Sequence, residues 1–319
     1  MCTAVSFKGS DSYFGRNLDL ERSYKESVVI TPRGFKLNMR TLPTMESHYA
    51  MIGMATVADN YPLYYEATNE MGLSMAGLNF PDNAHYMSFD ESKDNVAPFE
   101  LIPYILGKCR DVKQARSLLE GINIVRLNFS EALPLSPLHW IISDKEKSIT
   151  AESVKEGLRI YDNPYGVLTN NPTFDYHLMN IRGYMNLHEG VGEDSLTKDG
   201  DLKSYSLGFG AIGLPGDFSS ASRFVRAVFI KEKSPLCKNE KESVSQFFHI
   251  LSGVAMPKGC VMTREGEYEY TRYSCCCNAD KGIYYYTTYN NSSVTAVDMH
   301  SVDLQGESLY EYPVCSVTG

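Results

Sequence analysis

A chain of 319 residues that is 43% hydrophobic and 22% charged can bury a real core, as one large domain or two small ones. Its formal charge of −9 and its lack of a basic block argue against nucleic acid as a partner. No stretch approaches the roughly 20 apolar residues needed to span a bilayer, and no basic start followed by an apolar run marks a secretory signal, so the default compartment is the cytoplasm.

The chain opens Met1-Cys2-Thr3, and two readings stand for Cys2. With Met1 retained it is an ordinary residue. With Met1 removed it carries a thiol and a free α-amine on one carbon. Such an amine titrates near ~7.7–8.0 and can take the thiol proton, so nucleophile and base come in one residue. Residues 3–7 read as a strand, Gly9-Ser10-Asp11-Ser12 as a turn, and residues 13–18 as a second strand leading into Asp19. A tight hairpin would return Arg16 and Asp19 to the side of Cys2.

Further strands are expected at 27–31, 49–58 and 72–78, the last closed by Asn79. Pro81 restricts Phe80 to extended backbone, which leaves Asn79 at a strand end, as a plain turn residue or with its amide free to donate and accept. Residues 98–109 read as a helix started or interrupted by Pro103, and 111–119 as a helix capped by Asp111 and stopped by Gly121. After a loop over 128–137, strands are expected at 138–143, 148–153, 158–161 and 166–169. In Leu168-Thr169-Asn170-Asn171-Pro172, Asn171 suits the cap of a helix over 172–187 that begins with Pro172. Its neighbour Asn170 has no such structural reason and is the better candidate for chemistry. His177 on that helix reads as a surface or partly packed residue with no role.

Residues 189–206 read as an exposed loop. The Gly-rich stretch 208–217 lacks the G-K-[ST] ending of a phosphate loop, so nucleotide binding is rejected. A helix capped by serine follows, with Arg223 in its first turn, where the helix dipole disfavours a cation. A helix over 243–255 and strands at 268–274, 283–288 and 294–299 complete the chain. Of the eight cysteines, Cys275, Cys276 and Cys277 are consecutive. In a strand they point alternately to opposite faces and cannot converge on one ion, so they read as structural, reduced thiols. No repeat or linker divides residues 1–319, which favours a single domain.

The order and spacing of Met1-Cys2-Thr3, Phe14-Gly15-Arg16-Asn17-Leu18-Asp19, Ala76-Gly77-Leu78-Asn79-Phe80-Pro81, Leu138-His139-Trp140, Leu168 to Asp175, Gly213 to Asp217 and Ser222-Arg223-Phe224 resemble the choloylglycine hydrolase family. This family of N-terminal nucleophile hydrolases includes bile salt hydrolases and penicillin V acylases. The resemblance covers nearly the whole chain. It implies an α+β, four-layer αββα sandwich of two mostly antiparallel sheets, loss of Met1, a homotetramer, and no metal or cofactor. It implies that Cys2 is the nucleophile with its own α-amine as base, that Arg16 and Arg223 sit near the thiolate, and that Asp19 orients the amine. The Asn79 amide, with a backbone N–H at position 80 or nearby, would form the oxyanion hole, and Asn170 would contact the amine and the leaving side. The pocket positions match Leu18, Ala58, Tyr65, Phe129 and Leu133. Penicillin V acylases more often carry tyrosine where this chain has Asn79, so the resemblance favours glycine- or taurine-conjugated bile salts as substrate. Penicillin V cleavage and a non-catalytic role in binding small amphiphiles are the alternatives. The tyrosine-rich stretch 61–65 suits either an interface or packing within the monomer.

Overall fold

The first two strands form the expected hairpin. β1 (Cys2–Lys8) pairs antiparallel with β2 (Ser12–Leu20), with Cys2 opposite Leu18 and Ala4 opposite Arg16. In order along the chain follow β3 (Ser27–Thr31), β4 (Met51–Ala58), β5 (Tyr61–Asn69), β6 (Ser74–Asn79), β7 (Asp94–Val96), α1 (Leu101–Lys108), α2 (Val112–Gly121), β8 (Ile122–Ile124), β9 (Leu138–Ser143), β10 (Ser148–Val154), β11 (Gly157–Asp162) and β12 (Val167–Leu168). The second half holds α3 (Phe174–Asn180), α4 (Ser220–Glu232), α5 (Glu240–Ser252), β13 (Tyr270–Asn278), β14 (Ile283–Thr288), β15 (Asn291–Asp298) and β16 (Tyr310–Pro313). This computed structural model describes residues 1–314, and Cys315 lies outside the described residues.

Among the described residues the strands assemble into two large antiparallel sheets and a separate parallel pair of β7 and β8. One large sheet has the order β12-β1-β2-β13-β14-β15 and the other β11-β10-β9-β6-β5-β4-β3-β16. The sheets face each other, with β1 and β2 lying over β6. α4 and α5 cover the outer side of the first sheet, and α1 and α2 the outer side of the second. The four layers αββα are therefore as expected, and each large sheet buries both faces. One core runs between the sheets and under α4 and α5, joining Val5, Phe14 and Leu18 to Ile52, Ala76, Phe224 and Phe247; the other packs α1 and α2 residues such as Leu101, Ile105 and Ala115 against Met75 and Ile142. Burying a Leu, Ile or Phe side chain is worth about 1.5–3 kcal/mol each.

The cysteine run obeys the strand alternation. Cys275 turns inward against Glu66 of the opposing sheet, whereas Cys276 is buried on the other face. The stretch 61–69, not expected as a strand, is β5 in the middle of the larger sheet, and Tyr61 and Tyr64 are buried. Its Pro62 and clustered tyrosines hide the two-residue period, and the burial assigns these tyrosines to packing within the monomer. The helix expected over 172–187 is shorter, with α3 running Phe174–Asn180 and a 3₁₀ turn over Ile181–Tyr184. Asn171 does not cap it. Its amide reaches the Pro81 carbonyl, the Asn171–Pro172 bond is cis, and Glu152 from β10 accepts from the Phe174 N–H at 3.0 Å instead.

At Gly15 on β2 the backbone of β13 leaves no room for a side chain. A Cβ there would lie 1.9 Å from the Cys275 carbonyl oxygen and 2.9 Å from the Cys276 Cα, atoms that cannot move aside without moving the strand. Gly15→Ala is expected to destabilise the fold by about 1–3 kcal/mol, the cost of overpacking a tight core. Urea unfolding of the variant checks this, and unchanged stability would mean that the two strands separate freely.

Candidate active site

Cys2 begins β1 and is 2% exposed. Its backbone nitrogen donates to Asn170 Oδ1 at 2.8 Å, and its carbonyl accepts from Arg223 Nη1. Met1 is present and continues the hairpin: its amine donates to the Asp19 carbonyl at 2.9 Å and pairs with Glu269, and its carbonyl accepts from the Asp19 N–H at 3.0 Å.

Arg223 is fully buried in the first turn of α4, which Ser219 caps. Its guanidinium donates to the Phe218 carbonyl at 2.9 Å, to Thr3 Oγ1 at 2.7 Å and to Asn170 Oδ1 at 2.7 Å. The unfavourable placement against the helix dipole is thus offset by fixed acceptors. Asn170 follows β12 directly, and each of its polar groups is held. Its side-chain N–H donates to the Asn79 carbonyl at 2.7 Å, its backbone N–H to Ser220 Oγ at 2.8 Å, and its carbonyl accepts from His177 Nε2 at 3.0 Å.

Arg16, on β2, points between the sheets. Nη1 donates to the carbonyls of Tyr65 at 3.1 Å and Gly77 at 2.6 Å, where β5 and β6 part, while Nη2 is buried without a partner among the described residues. Glu66 stands 3.7 Å from Arg16 Nε and accepts from Tyr273 at 2.8 Å and Tyr284 at 2.6 Å. Burial pushes the Glu66 carboxyl above its ordinary range, opposed by Arg16 and the two hydroxyls. Burial likewise raises Asp19, opposed by the amino-terminal charge, by Arg223 and by the Thr271 hydroxyl, which donates to Oδ1 at 2.6 Å. Asp19 Oδ2 is buried and unpartnered among the described residues.

Asn79 ends β6 as expected, and its side-chain amide makes no hydrogen bond among the described residues. Of the backbone N–H groups at position 80 or nearby, that of Phe80 is already taken, because it donates to the Pro137 carbonyl at 2.8 Å in the pairing with the β9 side. Antiparallel bonding alternates, so the backbone of Asn79 turns the other way, and its carbonyl meets Asn170. The Asn79 N–H faces the same side as that carbonyl.

Cys2, Arg16 and Asn79 share one wall of a cavity of about 420 Å³. Leu18, Tyr65, Phe129 and Leu133 line it as expected, together with Leu20, Leu63, Phe99 and Ile102. Ala58 does not. It ends β4 opposite Tyr61 and packs against the core beneath α1 and α2. Asp19, Asn170 and Arg223 stand behind the cavity wall rather than on it. Sequence reasoning missed Glu66 and misjudged His177, which is fully buried and stacked on Phe224. A lone glutamate in an apolar strand is the signal that points to Glu66. His177 carries none, because helix position alone does not reveal which face is covered.

The same four-layer fold occurs in penicillin V acylase from Agrobacterium tumefaciens, which superposes with a TM-score of 0.78 at 21% identity over 97% of this chain and 90% of that one. Closer likenesses narrow the class. The family model "Linear amide C-N hydrolases, choloylglycine hydrolase family" matches residues 2–312. The chain is 51% identical over 316 residues to a protein of Lactiplantibacillus plantarum named "Bile salt hydrolase/transferase", covering 99% of this chain and 98% of that one. It is 40% identical to one of the same name from Clostridium perfringens, over 98% of this chain and 96% of the other. The solved structure of the C2A mutant of conjugated bile acid hydrolase from Clostridium perfringens superposes with a TM-score of 0.91 at 38% identity, over 99% and 97% of the two chains. The chain belongs to the choloylglycine hydrolase family and is an amidohydrolase of linear C–N bonds.

Burial holds His177 at about 4, against an ordinary value near 6.5, although its bond to the Asn170 carbonyl opposes the shift. It is neutral in the fold, whereas an unfolded histidine takes up a proton as pH falls through about 6.5. Stability is therefore lost between pH 6.5 and 4, by roughly 3 kcal/mol from this residue. His177→Gln is expected to flatten that part of the stability profile. Urea unfolding at pH 7 and pH 4.5 checks it: the stability gap between the native protein and the variant must shrink at the lower pH.

Proposed function

We propose that this protein cleaves the amide of glycine- or taurine-conjugated bile salts through a thioester on Cys2. The observation that carries the reading is the meeting of the Cys2 thiol, the free Asn79 amide and an apolar cavity of about 420 Å³, within the about 300–1,000 Å³ usual for small-molecule sites. A steroid body suits these leucine and phenylalanine walls, and the names of the relatives at 51% and 40% identity agree with it.

In this mechanism Met1 is removed and the Cys2 nitrogen becomes an α-amine, the base that takes the thiol proton. Asn170 Oδ1, the present acceptor for that nitrogen, orients its lone pair. The thiolate attacks the amide carbonyl beside the unpartnered Arg16 Nη2. The Asn79 side-chain amide and its backbone N–H receive the oxyanion, with the Phe80 N–H already taken. The α-ammonium passes its proton to the departing nitrogen of glycine or taurine, and Asn170 contacts that leaving side. Water, activated by the same amine, then hydrolyses the thioester and frees the bile acid. Asp19, with Oδ2 free of other partners, holds the amine in line.

The thioester also defines a second reading. Both relatives carry the word transferase in their names, and an amino acid that reaches the thioester before water would regenerate an amide. Hydrolysis and transfer then share every step up to the thioester and differ only in the incoming nucleophile.

Intact mass together with release of taurine or glycine from taurodeoxycholate and glycodeoxycholate tests the proposal. The expected result is a mass lacking Met1, with release that disappears in Cys2→Ala. Asn79→Ala is expected to lower kcat by about 10²–10³-fold, the usual effect of removing one oxyanion donor. A processed protein that spares both bile salts and opens penicillin V would keep the mechanism and overturn the substrate. Retained Met1 with no release of either amino acid would overturn both.

A further inference from the structure

Leu138-His139-Trp140 carries part of the family resemblance, yet the mechanism above gives His139 nothing to do. The residue is fully buried in the middle of the larger sheet, on β9 opposite Leu78. Its ring stacks on Phe80 with centroids 4.2 Å apart and planes 8° from parallel. Its Nε2–H donates to the Thr169 carbonyl at 3.1 Å, and its Nδ1 faces Glu152 Oε1 at 3.0 Å. Phe80 directly follows Asn79, and Thr169 directly precedes Asn170. One imidazole therefore touches the neighbours of both asparagines that bracket the reacting amide.

The two carbonyls at this point lie beyond the sheet, while Ser220 of α4 holds the Thr169 hydroxyl and the Asn170 N–H. β12 is only the two residues Val167–Leu168, and its pairing with β1 ends at Leu168 opposite Ala4. Beyond it, sheet hydrogen bonds no longer set the path of the chain. Two buried histidines take their place, with His139 holding the Thr169 carbonyl and His177 the Asn170 carbonyl. Glu152 ties the two together, because its carboxyl meets His139 Nδ1 and also accepts from the Phe174 N–H, which starts the helix that carries His177. A buried carboxyl and imidazole are a poor way to gain stability, since their desolvation often exceeds what the pair returns and apolar residues can fill the space as well. Their retention in the core needs another reason.

We propose that His139, held by Glu152, is a positioning residue that acts beside the direct Asn170–Asn79 hydrogen bond to fix how Asn170 stands relative to Asn79. It acts through the Thr169 carbonyl and the Phe80 ring and touches no substrate. The inference rests on the proposed amide hydrolysis for its kinetic readout and on geometry alone for its structural one.

Two near-isosteric variants separate this role from mere packing. His139→Gln places an amide N–H where Nε2 stands and can still donate to the Thr169 carbonyl. His139→Asn places its amide where Nδ1 stands and leaves that carbonyl without a donor. With taurodeoxycholate and the processed protein, His139→Asn is expected to lose about 100-fold in kcat, the scale of a misplacement of about 1 Å, with KM within about threefold because the apolar cavity is untouched. His139→Gln is expected to stay within about tenfold of the native kcat. Glu152→Gln, whose amide can serve both Phe174 and a neutral His139, is expected to behave like His139→Gln. Equal losses in the Asn and Gln variants, or a parallel rise in KM, would assign His139 to packing and overturn the proposal. Crystal structures of the two variants decide the matter even if the native protein does not turn over bile salts. Movement of the Asn170 amide beyond hydrogen-bond distance of the residue 2 nitrogen in His139→Asn, and not in His139→Gln, supports it. An unmoved amide in both overturns it.

Discussion

The hydrogen bond from the Cys2 nitrogen to Asn170 Oδ1 joins the start of the chain to a segment 168 residues away, and the geometry of the site depends on it. The same oxygen accepts from Arg223, and the same side chain donates to the Asn79 carbonyl. One carboxamide therefore sets the relative positions of β1, α4 and β6. Those elements lie in different layers of the sandwich, so the contact also ties the two sheets together behind the cavity wall. An amide side chain suits this task because it donates and accepts at once. Neither a carboxylate nor an ammonium offers both.

Around that contact the interior is unusually charged. Arg16, Asp19, Glu66 and Arg223 are buried between or beside the sheets. Desolvating them costs stability, and only part is recovered by pairing. The arginines donate mostly to backbone carbonyls and the carboxylates accept from hydroxyls, partners fixed by the fold. Arg16 is pinned to two carbonyls where β5 and β6 part, which leaves one guanidinium nitrogen without a partner among the described residues. Asp19 likewise keeps one oxygen free. The unpartnered nitrogen of Arg16, which lines the cavity, suits the charge development of the proposed reaction, because fixed charges act more strongly where water is excluded.

Under the proposed function, the apolar body meets side chains that are largely separate from Asn170 and Arg223. The cavity wall is built from side chains of β2, β5, α1 and the 129–138 segment, whereas Asn170 and Arg223 approach from behind it. Variation of the apolar wall can therefore alter which hydrophobic body is accepted without disturbing the groups around the thiol. The Arg40 guanidinium lies over the Phe129 ring at 5.0 Å, which anchors one end of that wall.

The chain alone determined most of its local structure. Period-two apolar runs, turn residues and good caps located most strands and α2, because these signals depend only on near neighbours. The six candidate positions were legible as an ordered set of motifs; Asn170 and Arg223 contact the Cys2 backbone, Arg16 and Asn79 line the same cavity as Cys2, and Asp19 pairs with Met1. What depends on distant parts of the chain was not legible. The Phe80 N–H is taken by Pro137, Glu152 rather than Asn171 caps α3, and Ala58 packs half-buried against the core beneath α1 and α2. His177 and Glu66 gain their roles only from what packs against them. A hydrogen-bond partner or a buried face is a property of two segments together. In this sandwich those segments lie dozens to hundreds of residues apart, so only the tertiary structure decided them.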